Sequence, residues 1–370
     1  MDRTKAGLYF HIPFCSSKCP YCDFYSLVSK GCTEEYVNAL CDEMKTRRRL
    51  SEFLPSEEKA LVDTVYFGGG TPSLLSGEQV KKILYTARES FLVSEDAEIT
   101  AECNPSSPGL SEFLKASADA GVNRISLGMQ SSSDNERRKL GRRGTGDSVK
   151  NAVELVRSVG INNISLDIMI GVPESSIETL KASLDFALSL EVSHISAYML
   201  KIEEGTFYHK NVEKLCLPDE DMVCDMYLFM SSYLRENGFF HYEISNFCKD
   251  GFHSKHNMKY WEGAPYIGIG AAAHSFFNGK RFYFKSDLNA FINGEKAVFD
   301  GTGGDGEEEI LLSLRTFRGI SLSDKNSRFI KKAELFAKNG FATIKGDSFV
   351  LTAEGYLVSN TIISELLSVY

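Results

Sequence analysis

The sequence predicts an α/β fold: a partial (β/α)6 barrel, followed by a C-terminal extension and a small winged-helix-like module. Three observations carry this. Strand-like and helix-like patterns alternate six times through the first two-thirds of the 370 residues. At least three of the strands set a small or polar face against a bulky apolar one. After Leu200 the alternation stops. Strands separated by helices imply a parallel sheet, because parallel pairing needs long crossovers.

The six units run in order. Residues 8–12 form a short apolar strand, and Tyr36, Val37, Leu40, Cys41 and Met44 follow at helical spacing behind a Thr33 cap signal. Cys41 lies on that apolar stripe and reads as core. Residues 64–67 are the second strand and 78–91 the second helix. A strand at 98–103 leads to a helix at about 112–120. The strand at 124–130 leads to a helix marked by Val149, Val153 and Val156 and closed by Gly160. After the strand at 164–170, Ser175-Ser-Ile-Glu178 matches a capping box before Leu180, Leu184 and Leu188. Residues 194–200 are the sixth strand. Side chains alternate between the faces of a strand. Thr100 and Glu102 therefore share a face, as do Ser126, Gly128 and Gln130, and Ser165, Asp167 and Met169. A closed eight-stranded barrel fills its interior with bulky residues. This polar face suits a wider, incomplete barrel that holds a ligand. Gly68-Gly-Gly-Thr-Pro72, Glu102, Gln130 and Asp167 fall at the C-terminal strand ends, where such folds place their sites.

Further on, residues 219–235 read as a helix with Met222, Met226 and Phe229 on one core stripe. Residues 301–306 read as a linker; helical stretches, a hairpin near 342–351 and a last helix follow. The expected division is a barrel core at 1–215, an extension at 216–300 and a winged-helix-like module at 301–370.

The 50 acidic residues outnumber the 41 Lys+Arg, giving a net charge of −9, which argues against non-specific nucleic-acid binding. The run Arg47-Arg48-Arg49 reads as a solvated helix end. No stretch of about eighteen apolar residues predicts a spanning helix, and the start carries no apolar signal segment. Nine cysteines without a paired pattern suit a reducing cytosol.

Three of those cysteines are concentrated in His11-Ile-Pro-Phe-Cys15-Ser-Ser-Lys-Cys19-Pro-Tyr-Cys22, a C-x3-C-x2-C spacing. A structural zinc site closes four ligands, and a [4Fe–4S] cluster normally takes four cysteines. Three local thiols without an obvious fourth suggest an iron left open for another ligand.

Tyr9-Phe-His-Ile-Pro-Phe-Cys15, the cysteine triplet and the Gly-Gly-Gly-Thr-Pro segment resemble the radical S-adenosylmethionine (SAM) superfamily. Glu102-Cys-Asn-Pro105, Ser126-Leu-Gly-Met-Gln130, Asp167-Ile-Met-Ile-Gly-Val-Pro173 and Ser196-Ala-Tyr-Met-Leu200 resemble its coproporphyrinogen-dehydrogenase-like branch. Within that branch the chain is similar to the HemW-type heme chaperones on two grounds. The dehydrogenases have a further cysteine two positions after the third, where this chain has Phe24. And His256-Asn-Met-Lys-Tyr-Trp261 fits an HNxxYW motif. The resemblance implies a radical SAM barrel in which Cys15, Cys19 and Cys22 ligate a [4Fe–4S] cluster whose fourth iron binds SAM. It implies a SAM pocket of Tyr9, Tyr21, Gly69, Gly70, Thr71, Glu102, Gln130, Arg142 and Asp167. Arg143 is an adjacent competitor for Arg142. It also implies that heme is bound and passed to heme-accepting apoproteins, with His256 and Tyr260 as candidate contacts and His274 and His253 as alternatives. A homodimer is compatible with this reading. The competing one is oxygen-independent decarboxylation of coproporphyrinogen III.

Overall fold

The computed structural model describes residues 5–54 and 60–369. Six parallel strands form the barrel wall: β1 (Ala6–Ile12), β2 (Leu61–Gly69), β3 (Leu92–Cys103), β4 (Arg124–Gln130), β5 (Asn163–Ile170) and β6 (His194–Met199), each hydrogen-bonded to the next. Their outward residues, among them Leu8, Phe10, Val65, Ile99, Ile125, Leu127, Ile164, Leu166 and Ile195, are almost wholly buried beneath the crossover helices. Those helices are α1 (Glu34–Thr46), α2 (Gly77–Ser90), α3 (Leu110–Asp119), α4 (Gly146–Ser158) and α5 (Ile177–Ser189). Register places the inward residues side by side: Tyr9 with Tyr66, Thr64 with Glu98, Thr100 with Arg124, Glu102 with Ser126, Gly128 with Asp167, and Asp167 with Ser196.

The barrel does not close on itself. Asn246–Cys248 pairs antiparallel with β6, while Tyr266–Ile269 pairs parallel with β1. The chain thus crosses from one edge of the sheet to the other, and a short helix, Lys255–Trp261, lies on that crossing. Three antiparallel strands (His274–Phe277, Lys280–Tyr283, Val298–Thr302) continue outward from Tyr266–Ile269. The expected linker at 301–306 is therefore partly edge strand, with the helix Gly306–Ser313 starting directly behind it. C-terminal to that, a helix (Ile330–Lys338), a hairpin (Ala342–Lys345 and Ser348–Leu351) and a final helix (Ser359–Leu367) pack together. A Glu243–Thr316 bridge and Ile244 N–H to Arg315 O join this part to the sheet, and the apolar core runs unbroken from Leu8 to Leu366.

Two local expectations need correction. The cap of α5 is Ser176, whose hydroxyl accepts from Thr179 N–H while Thr179 bonds back to Ser176 N–H. The box is one residue later than Ser175-x-x-Glu178, because Thr179 replaces the acidic partner. The basic run after α1 is not solvated: Arg47 and Arg49 are buried. Arg47 adopts φ +47 as the C-cap, donates to Ser90 O and lies over the Phe91 ring; Arg49 pairs with Glu43 and lies over Phe291.

A polar barrel interior beneath a cysteine loop

The loop after β1 carries all three motif cysteines. Its start, Phe14–Cys15, pairs with Leu27–Val28, and Cys22 N–H bonds to Cys19 O. The three thiols lie within electrostatic range of one another. Burial first, then those neighbours, pushes Cys22 up, with Lys18 opposing. Among the described residues no three His, Cys, Asp or Glu side chains are drawn into a closed metal-binding group. All nine cysteines are unpaired.

β2 ends under this loop. Gly69 has φ +104, and a Cβ there would come within 2.5 Å of the His11 ring. Gly70 N–H bonds to Ile12 O, Thr71 N–H to Phe14 O, and the Thr71 hydroxyl donates to Cys15 Sγ at 3.4 Å. Gly69 and Gly70 therefore lock the turn against β1. Gly68 is the residue that opens the interior: its Cβ would meet Tyr9 and Tyr66 at 3.0 Å and Glu102 Oε1 at 3.2 Å. His11 bonds to Tyr25 O and Tyr9, so it braces the loop, in keeping with a structural role.

Two carboxyl groups face this space. Glu102 accepts from Tyr66 at 2.9 Å and from Gly69 N–H, yet burial, with Asp167 nearby, pushes its pKa up to about 7. Asp167 accepts from Ser126 at 3.0 Å and from Ser196; burial still raises it to about 6. Asp167 lies three residues before the end of β5, a layer below the rim. A register shift between Gly128 and Gln130 gives Gln130 a φ of +70 and re-aims it relative to a regular strand. Arg142 donates to the Tyr21 hydroxyl at 2.8 Å, approaches Gly128, and feels Cys19 and Asp167. Arg143 is exposed, so of the two arginines only Arg142 reaches the interior. The structure thus brings Tyr9, Tyr21, Glu102, Gln130, Arg142 and Asp167 into one interior cluster beside the cysteine loop, with Thr71 bonded to that loop.

The donor set can be tested against SAM, which carries a sulfonium, an ammonium and a carboxylate. Arg142 Nε is buried without a hydrogen-bond partner, a donor waiting for an acceptor. Two carboxyls raised by burial gain most from a cationic ligand. An ammonium needs acceptors, so the committed amides of Gly69 and Gly70 do not compete with it. The residues fit.

His256 lies elsewhere. The helix Lys255–Trp261 sits at the N-terminal end of the barrel, opposite the cysteine loop: His256 touches Gly7, and Lys259 pairs with Asp63. The His256 ring is 1 % exposed, with Thr64 Oγ1 at 2.8 Å from Nδ1 and Tyr260 Oη at 3.0 Å from Nε2. Burial, then Lys259 and Arg124, hold its pKa down to about 3, so it is neutral. A heme iron can take Nε2 only by displacing Tyr260. Phe247 is buried in the core, and Trp261 is half-buried against the small cluster of Tyr242, Cys248 and Met258. His253 and His274 are exposed, with ring contacts to Tyr242 and Tyr283. Sequence reasoning passed over Tyr66, Glu98, Arg124, His194 and Tyr242. The first three stand an even number of residues from chosen positions on the same strands, and that spacing was the available signal. Ser165 and Tyr242 hold the two nitrogens of His194 at 2.7 and 2.8 Å.

Residues 9–187 match the Radical SAM superfamily. The chain is 33 % identical to the heme chaperone HemW of Mycobacterium tuberculosis, covering 99 % of this chain and 96 % of that protein. It is 34 % identical to HemW of Bacillus subtilis over 97 % and 98 %. This chain belongs to the HemW family of the radical SAM superfamily. The fold of the superfamily is also that of coproporphyrinogen III oxidase from Escherichia coli, a radical SAM enzyme whose structure superposes with a TM-score of 0.80 over 98 % of this chain and 90 % of that one, at 20 % identity. Among the described residues no helix is long and apolar enough to cross a membrane.

Proposed function

We propose that this chain binds heme and delivers it to acceptor proteins, and that Cys15, Cys19 and Cys22 hold a [4Fe–4S] cluster with SAM in the barrel interior. The full-length similarity to proteins named heme chaperones is the observation that carries the heme reading. The absence of a cysteine at Phe24 supports it over porphyrin decarboxylation. The rim offers a surface for a flat apolar molecule: Phe24 is 69 % and Val28 67 % exposed on the cysteine loop. Phe207, 63 % exposed, stands on the short helix Phe207–Lys210, which Tyr208 N–H ties to Pro20 O.

The cluster, when bound, supplies an electron and an open iron for SAM. The chain's own residues do the rest: Arg142 offers a carboxylate partner, Glu102 and Asp167 accept from cationic or hydroxyl groups, and the closed barrel floor keeps water away. The test is anaerobic reconstitution, followed by heme titration, transfer to apomyoglobin as a heme trap, and assay of coproporphyrinogen III. Saturable heme binding with transfer and without decarboxylation supports the proposal. Sustained decarboxylation, or no heme binding, overturns it.

A further inference from the structure

The HNxxYW helix has a physical connection to the cofactor pocket and none to the rim. Tyr66 links them: its hydroxyl donates to Glu102 Oε1 at 2.9 Å, and its ring stacks on His256 with centroids 5.1 Å apart and planes 30° apart. Tyr9 completes the stack, 6.2 Å from Tyr66 and 6.4 Å from His256. His256 is itself fixed from every side. Thr64 and Tyr260 hold both ring nitrogens, Glu98 accepts its backbone N–H at 3.1 Å, and Tyr260 packs edge-on to Tyr266 at 4.6 Å. Seven residues do not make a helix stable alone. Glu98, which also accepts Lys255 N–H, and the Lys259–Asp63 pair dock it onto the strands. A ring held this firmly transmits its position to whatever lies on it.

We propose that His256 is a positioning residue for the cofactor pocket: it holds the Tyr66 ring, and through the Tyr66 hydroxyl the Glu102 carboxylate, in the orientation that receives SAM. This rests on the reading that the pocket takes SAM. It assigns the HNxxYW helix to the barrel floor beneath the cofactor instead of to heme ligation. A side chain that fixes a hydrogen bond to a charged group controls affinity by roughly an order of magnitude.

The experiment uses the full chain with its cluster reconstituted. SAM affinity is measured by equilibrium dialysis, the SAM-induced change in the spin-resonance spectrum of the reduced cluster is recorded, and heme is titrated in parallel. His256→Ala is expected to weaken SAM about tenfold, to shrink the spectral change, and to leave cluster content and heme stoichiometry intact. His256→Phe, which keeps a ring to stack on, recovers part of the loss. Unchanged SAM affinity in His256→Ala, or heme binding lost while the SAM response stays whole, overturns the assignment. Should His256→Ala not fold, Tyr66→Phe decides: it removes one hydroxyl, and an unchanged SAM response there overturns the assignment equally. A wild-type protein that binds no SAM at all removes the underlying reading, a result distinct from variants that match a SAM-binding wild type.

Discussion

At the residue scale, the site is built from groups whose burial conflicts with their charge. Glu102 and Asp167 have raised pKa values although each accepts hydrogen bonds, because desolvation outweighs those bonds. Glu243, buried at the junction with the C-terminal part, is likewise pushed up to about 7. The sign of the consequence is fixed. In the unfolded chain these groups ionise near their ordinary values; in the folded chain they hold their protons longer. Between about pH 4 and pH 7 these carboxyls bind more protons in the folded state, so their contribution to stability falls as pH rises through that window. Glu102→Gln, which cannot ionise, should therefore gain stability relative to the wild-type chain at pH 8 compared with pH 5. A pH dependence identical to wild type would contradict the burial argument. A bound cation reverses the effect, so SAM binding near pH 6.5 should release protons, detectable by calorimetry in buffers of different ionisation enthalpy. Cys19→Ser should abolish the cluster absorbance after reconstitution; full iron occupancy in that variant would remove Cys19 as a ligand. Such residues were legible in the sequence where they stood in a local pattern, as the three cysteines do. Arg124 and Tyr66 were legible only through their even spacing from chosen positions on the same strands; the contact Tyr66 makes there with Glu102 was not.

At the element scale, periodicity located all six barrel strands, since a two-residue alternation is a local property that burial on one face imposes. Ends were less certain. α5 begins behind Ser176, and the neighbouring serine sits one residue too early to cap it. Ser176→Ala should cost about 1 kcal/mol in urea denaturation, and Ser175→Ala much less. Equal costs would mean that the cap assignment is wrong. The Lys255–Trp261 helix shows the limit of motif reading. Spacing put His256 and Tyr260 one turn apart, and the structure confirms that adjacency through their hydrogen bond. What lay above and below them came from β1, β2 and β3, more than 150 residues away in the chain, and no local pattern reports such neighbours.

At the scale of the whole molecule, the sheet joins the barrel to the extension, and one apolar core continues into the last helix. Phe349, on the C-terminal hairpin, is fully buried in that core. Phe349→Ala should lower stability by about 3–4 kcal/mol in a single cooperative transition. An early transition confined to the C-terminal part would show instead that it folds as a separate unit.

By itself the sequence determined the alternation of strands and helices, the polar inner face and the cysteine triplet, because each follows from spacing within a few residues. It also put Tyr9, Glu102, Gln130 and Asp167 on strands that the structure contains. Only the tertiary structure decided that the HNxxYW helix lies at the end of the barrel opposite the cysteine loop. The cysteine loop follows the C-terminal end of β1 and shares that end with Glu102, one residue, and Asp167, three residues, before the ends of their strands. The HNxxYW helix closes the other because the chain must cross between two sheet edges, and hydrogen bonds to buried interior groups hold it there.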